Sequence, residues 1–306
     1  MLNVTAEEIA KFLNNTLHGK NSIINKVSDI EECGPGDLIW CRSYTPERVN
    51  IINRCQPALV ICPEDTVPFM KVPYICSSNP KLDFVRILSF YLEWDKPVGI
   101  HETAIIYPGA KIGKDAIIGP YSIIGPQVEI GNGCQIGSHV SIEGIVKIGN
   151  RFSIKSSSSI GGQGFSFVRD EQGVPLHFPH IGKIIIGDDV WMGSSTTIER
   201  GGLGNTTICD NVKIDDLVQL GHNITVGKNT CIAAGVIICG GSVIGQGCWI
   251  APRSVLNDHI YIGHNVLVGL GSVVMKNVQD NSVVVGVPAK KLDSPNLADV
   301  KMYVGI

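Results

Sequence analysis

The residues best placed to do chemistry are two of the eight histidines, His222 and His259. His222 sits in KIDDLVQLGHNITVG (213–227); Gly240 follows it by eighteen residues, within Cys239-Gly240-Gly241, and a further eighteen lead to Asp258 and then His259. Glycine beside a histidine leaves a slot lined by an imidazole and by exposed backbone N–H groups. Such a slot suits acyl transfer: the imidazole takes a proton from an attacking nucleophile, and the N–H donors of Gly240 and Gly241 hold the oxyanion that develops. On the residues alone, two solvated surface histidines are an equally open reading. His18, His101 and His139 occupy ordinary polar positions and are expected at the surface.

Positioning such a slot requires a rigid frame, and the periodicity supplies one. Aliphatic residues recur every sixth position from Ile100 through Ile118, Ile136 and Ile154 to Ile160. The pattern returns at Ile186, Met192 and Ile198, then after four extra residues runs from Ile208 through Leu220 and Ile238 to Val274. Neither an α-helix nor a hairpin has that period; a parallel β-helix does, with three hexads forming each triangular coil and coils stacked about 4.8 Å apart. The second inward position, four residues on, is small to medium (Ala104, Ser122, Cys134, Val140, Cys248), so Cys134 and Cys248 read as core filler. Glycine after the aliphatic residue, as in Ile118-Gly119 and Ile136-Gly137, suits a tight corner. The fold class expected is a left-handed parallel β-helix with a small N-terminal α/β domain.

The domains expected are 1–97, an α/β unit; 98–279, the β-helix with a long loop at 161–185; and 280–306, an irregular C-terminal cap. In the first, Thr5 with Glu8 forms a capping box, Asp37–Trp40 and Ala58–Ile61 read as strands, and Leu82–Trp94 as a helix. The loop carries GGQGF (161–165), Arg169, Asp170, His177 and His180; long loops on rigid solenoids are usually functional. A net charge of −3 gives no basic face for nucleic acid or an anionic membrane, and no stretch is long and apolar enough for a membrane span. The start, MLNVTAEEIAKFL, lacks a basic-then-apolar export pattern, and the ten cysteines include no CxxC pair. A cytoplasmic protein with reduced thiols and no permanently bound cofactor is therefore expected.

GGQGF (161–165), PHIGKIIIGDDV (179–190), TTIERG (196–201) and KIDDLVQLGHNITVG (213–227) together resemble the UDP-3-O-acylglucosamine N-acyltransferases of lipid A synthesis, in order and in spacing. The N-terminal domain is similar to that family's uridine-binding domain in length and in its GDLIW strand (36–40). The resemblance implies an N-acyltransferase that works as a homotrimer, with His222 as the general base toward a sugar amine and His259 as second histidine of the site. It implies a substrate-binding set of Trp40, Ser43, Tyr44, Glu199, Arg200, Gln219 and Asn223, with Trp40 stacking on the base and Ser43 where the family has an amide. Gly240, Gly241, Asp258 and Lys290 would serve the oxyanion and the donor.

Two departures bear on the acyl donor. Residues after 275 show no pattern for the family's helical extension that helps hold acyl carrier protein, and VGVPAK (285–290) resembles the cap of sugar acetyltransferases that use acetyl-coenzyme A. The tail's Lys276, Lys290, Lys291 and Lys301 are interleaved with Asp280, Asp293 and Asp299, a poor surface for an acidic carrier. The main expectation is thus N-acylation of a nucleotide-linked amino sugar for surface polysaccharide, with acyl-CoA (acetyl-CoA) as cosubstrate. The alternative is UDP-3-O-(3-hydroxyacyl)glucosamine N-acylation for lipid A, with acyl-ACP as donor. A third reading, from another class, is a zinc hydratase resembling the β-helical carbonic anhydrases, with His222, His259 and His264 as ligands.

Overall fold

The computed structural model describes residues 2–92 and 99–292, and the chain divides into two compact units, Met1–Lys96 and Pro97–Ile306. The expected helix end at Trp94 and the tail residues 293–306, Lys301 among them, lie outside the described residues.

In the first unit the Thr5 hydroxyl accepts from the Glu8 N–H while the Glu8 carboxylate accepts from the Thr5 N–H, so helix α1 (Ala6–Phe12) begins in a reciprocal cap. Helix α2 (Pro46–Cys55), which hydrophobic periodicity does not announce, starts with Thr45 as its cap and proline in its first turn. Helix α3 runs over Pro80–Tyr91. Among the described residues the central sheet has five strands, in the spatial order Leu17–His18, Tyr74–Cys76, Leu59–Cys62, Asp37–Trp40, Lys26–Val27; only the Leu17–His18 edge is antiparallel to its neighbour.

The second unit is a triangular parallel β-helix whose three faces are sheets of ten, nine and eight strands among the described residues. Residues eighteen apart lie side by side, as in Ile118 against Ile136 and Leu220 against Ile238. The aliphatic column is buried along the axis, from Ile118 to Val274. Burying one such side chain contributes about 1.5–3 kcal/mol, so the stack itself holds the frame. The small inward positions do more than fill space. The hydroxyls of Ser122, Thr230 and Ser242 donate to the carbonyls of Gly137, Gly245 and Asn257 at 2.7–2.9 Å, tying each coil to the next. The thiols of Cys134 and Cys248 make the same link to Gly149 (3.3 Å) and Gly263 (3.1 Å), and burial pushes both thiols up from their ordinary range.

Two interruptions leave the phase intact. Ile148 pairs with Ile186, thirty-eight residues on, and Ile198 with Leu220, twenty-two on, so the extra residues loop outward from a coil that otherwise closes normally. The longer insertion folds as an antiparallel hairpin, Phe167–Arg169 against Pro175–His177, closed by the Asp170 carboxylate accepting from the N–H groups of Gln172 and Val174.

Candidate active site

His222 lies at a corner of the β-helix, half-buried, next to Asn223 in the left-handed conformation (φ 58°) that asparagine tolerates. The Asn223 Oδ1 accepts the backbone N–H of Gly202 at 2.8 Å, which fixes the amide orientation because a backbone N–H can only donate. The same oxygen is 3.1 Å from Nδ1 of His222, so Nδ1 carries the proton and donates. Nε2 therefore holds the free lone pair, the tautomer a general base requires.

The two arms of the insertion, at Gly164 and His180, close over this ring. A Cβ on Gly164 would stand 2.6 Å from Cδ2 of His222, 2.8 Å from Nε2 of His180 and 3.0 Å from Oε2 of Glu199, so only glycine lets the loop come so close. His177 ties the hairpin down by donating from Nε2 to the Gly164 carbonyl (3.3 Å). His180 is 2% exposed and packs edge-on against His222, with ring centroids 4.9 Å apart and planes at 69°. Burial first, then the nearness of His222, hold the His180 imidazole below its ordinary range. The Glu199 carboxyl is raised by burial, an effect that the neighbouring His222 opposes; Gln219 donates to its Oε1 at 3.5 Å. Arg200 is half-buried against Gly144 and anchors the loop by donating its backbone N–H to the Gly162 carbonyl (3.0 Å).

The glycines behave differently from one another. The His222 ring covers Gly240, where a Cβ would stand 2.7 Å from Nε2, and the Gly240 N–H has no acceptor among the described residues. The Gly241 N–H is already committed to the His222 carbonyl at 2.8 Å, so it does not supply the oxyanion donor expected of it. His259 lies against Gly241 rather than Gly240, with φ at 52°; its side chain is 74% exposed and contacts Asp258 at 3.3 Å. His264 accepts the Gln246 N–H through Nδ1 at 3.0 Å, and no group of three or more His, Cys, Asp or Glu side chains among the described residues is arranged to hold a metal.

Of the remaining expected residues, Trp40 packs against the apolar core of the first unit, 6.3 Å from Phe84. Ser43 accepts from Arg48 at 3.2 Å, and Tyr44 stacks on Phe69 at 4.3 Å beside a cleft of about 310 Å³. Lys290 borders a separate cleft of about 440 Å³ together with Lys276 and Lys291. Reading the sequence missed His180 and Gly164 as members of the His222 cluster; the only signal was their place in a conspicuous insertion, since no repeat register places a loop residue against a coil.

Comparison with known proteins agrees with this geometry. The bacterial transferase hexapeptide family (six repeats) matches residues 97–132, 109–144, 205–240 and 241–276. The UDP-3-O-acylglucosamine N-acyltransferase of Coxiella burnetii (strain RSA 493 / Nine Mile phase I) is 34% identical over 295 residues, covering 89% of this chain and 85% of its own. That of Pseudomonas syringae pv. tomato is 35% identical over 235 residues, 69% of this chain and 65% of its own. Among solved structures, LpxA from Acinetobacter baumannii superposes with a TM-score of 0.59 at 27% identity, over 67% of this chain and 77% of that one, in keeping with a left-handed parallel β-helix. The β-helix and the extent of these likenesses converge: the chain is an acyltransferase and belongs to the UDP-3-O-acylglucosamine N-acyltransferase family.

Proposed function

We propose that the chain N-acylates a UDP-3-O-acylglucosamine for lipid A synthesis, with a 3-hydroxyacyl thioester of acyl carrier protein as donor. The observation that carries the chemistry is the fixed tautomer of His222, with Nδ1–H on Asn223 and Nε2 free. The relatives' names favour this acceptor over the more general nucleotide-linked amino sugar first expected. In the reaction the amine nitrogen attacks the thioester carbon as His222 Nε2 removes an N–H proton. The tetrahedral intermediate collapses by breaking the C–S bond, and the imidazolium returns the proton to the leaving thiolate, giving amide and thiol. The Gly240 N–H is the donor available to the oxyanion, and the Glu199 carboxylate supplies the negative charge nearest the imidazolium. We place uridine recognition in the first unit, at the Tyr44–Phe69 cleft, and assign Arg200 and Gln219 to shaping the acceptor side of the His222 cluster. The proposal includes a cytoplasmic homotrimer, as the family resemblance implies, in which a neighbouring helix would wall the His222 face.

A second reading, acyl-CoA as donor, is favoured by one observation: the cleft edged by Lys276, Lys290 and Lys291 suits the phosphates of coenzyme A. Mass analysis of products from UDP-3-O-acylglucosamine or an unacylated UDP-amino sugar, each with 3-hydroxyacyl carrier protein or acetyl-CoA, separates the two. Amide formation from the carrier-bound donor on the acylated sugar is expected; faster turnover of acetyl-CoA on the unacylated sugar would overturn the first reading.

A further inference from the structure

His180 takes no part in the proton transfer described above, yet it is the most buried titratable group around His222. Its Nδ1–H donates to the Phe178 carbonyl at 2.9 Å, so Nε2 carries the lone pair, and that atom has no hydrogen-bond partner. The point where a Gly164 Cβ would stand is 2.8 Å from it and 2.6 Å from Cδ2 of His222, so Nε2 and the carbon edge of the base border the same glycine, with the two rings 4.9 Å apart. Other charged or titratable groups face His180 as well: His177 of the hairpin at 5.8 Å between ring centroids, Arg200 of the following corner, and Glu199 across the same glycine.

We propose that His180 is a positioning residue for His222, whose unpartnered Nε2 stabilises the imidazolium formed when His222 takes the substrate proton. The inference rests on reading His222 as the base. While His222 is neutral its carbon edge is only weakly positive and the lone pair does little. Once His222 is protonated the positive charge spreads over that edge, and a fixed acceptor beside it is attractive in a site shielded from water. The role requires that His180 stay neutral, and burial first, then the nearness of His222, disfavours its charged form. The edge-on contact also limits rotation of the His222 ring away from Asn223.

The test compares His180→Leu, which removes the lone pair, with His180→Gln, which restores an acceptor. In the full-length enzyme, kcat/KM against pH should show the acid limb of His180→Leu moved to lower pH by about half a unit or more, with kcat reduced about tenfold. His180→Gln should return both toward the parent. Because stabilising the charged form raises the midpoint of a base, the shift on removal must be downward. Imidazole NMR of His222 in the same variants reads its titration without turnover and still decides the matter if the leucine variant is inactive. An unmoved His222 midpoint in folded His180→Leu, or a glutamine variant that behaves as the leucine one, overturns the proposal. His222→Ala with normal activity would instead sink the base assignment, while the NMR titration would still report whether the two rings are coupled.

Discussion

The corners that carry His222 and His259 lie two coils apart, about 10 Å along the axis, and are built from the same repeat, yet they differ in almost every respect that matters for chemistry. His222 stands in a column with Gly240 and Asp258, covered by the two arms of the insertion, its tautomer fixed from one side and its carbon edge packed against His180. His259 stands in the adjacent column above Gly241 and Asn223, three-quarters exposed, with one long contact to Asp258. A repeat makes many equivalent corners; the insertion makes one of them unlike the rest. The covered corner, where the ring is oriented and partly desolvated, is the one suited to proton transfer, while the open corner is suited to contacting a bound molecule.

The comparison can be broken most directly at His222. His222→Ala should lower kcat by about 10²–10⁴-fold while the circular dichroism spectrum and melting temperature stay close to those of the parent, since a half-buried corner ring adds little to the core. Near-normal turnover would show that the covered corner is not the reactive one.

Next in size is Gly164→Ala. Its methyl would press on His222, His180 and Glu199 together, and overpacking of this kind typically costs about 1–3 kcal/mol. A loss of activity of about 10–100-fold is expected, since displacements of the order of an ångström misplace a catalytic group. Steady-state kinetics and thermal unfolding of the same preparation check it, and an unchanged enzyme would mean that the loop does not hold the cluster.

Glu199→Gln sharpens the electrostatic side. The carboxyl is raised by burial, so the folded state binds its proton more tightly than the unfolded chain. The stability this contributes is present at low pH and lost as pH rises through the raised value. At neutral pH the ionised group is therefore a burden on folding but a partner for the imidazolium. The variant is expected to unfold at a slightly higher temperature than the parent near pH 7, with the gain vanishing in acid, and to turn over about tenfold more slowly. A calorimetric series across pH with parallel rates checks both signs.

The smallest effect is expected at the open corner. His259→Ala should raise KM a few-fold and leave kcat within about threefold, the pattern of binding lost equally from ground and transition states. A kcat defect matching that of His222→Ala would erase the distinction between the corners.

The sequence made the β-helix legible because each inward residue answers to neighbours six and eighteen positions away, a relation visible in one line of text. It made His222 legible for the same reason, through the glycine one coil on. What it concealed depends on packing across unrelated segments. His180 reaches His222 only because a twenty-residue excursion folds back onto its own coil, whereas the Gly241 N–H goes to the His222 carbonyl by the same nineteen-residue corner bond that Gly235 makes to Asp216 and Gly247 to Lys228, a regularity of the register. Trp40 ends a strand that is buried from Asp37 to Ile39, and its ring packs against the core instead of standing clear for stacking. Helix α2 went unread because Val49 and Ile52 are its only buried residues, although Thr45-Pro46 is a legible start signal.

The eighteen-residue register also constrains how such a protein can change in length. Residues on this scaffold move relative to one another in whole steps: removing one hexad turns everything beyond it by a third of a revolution, and removing one coil brings the two ends closer by about 4.8 Å without rotation. Lengths that are not multiples of six must bulge outward, as the four- and twenty-residue excursions do. The separation between the His222 corner and the lysine-edged cleft at the far end is thus quantised. Deleting residues 241–258 would shorten it by one quantum while keeping every remaining face in place, and that gives an engineer a built-in scale for matching the enzyme to substrates of different reach.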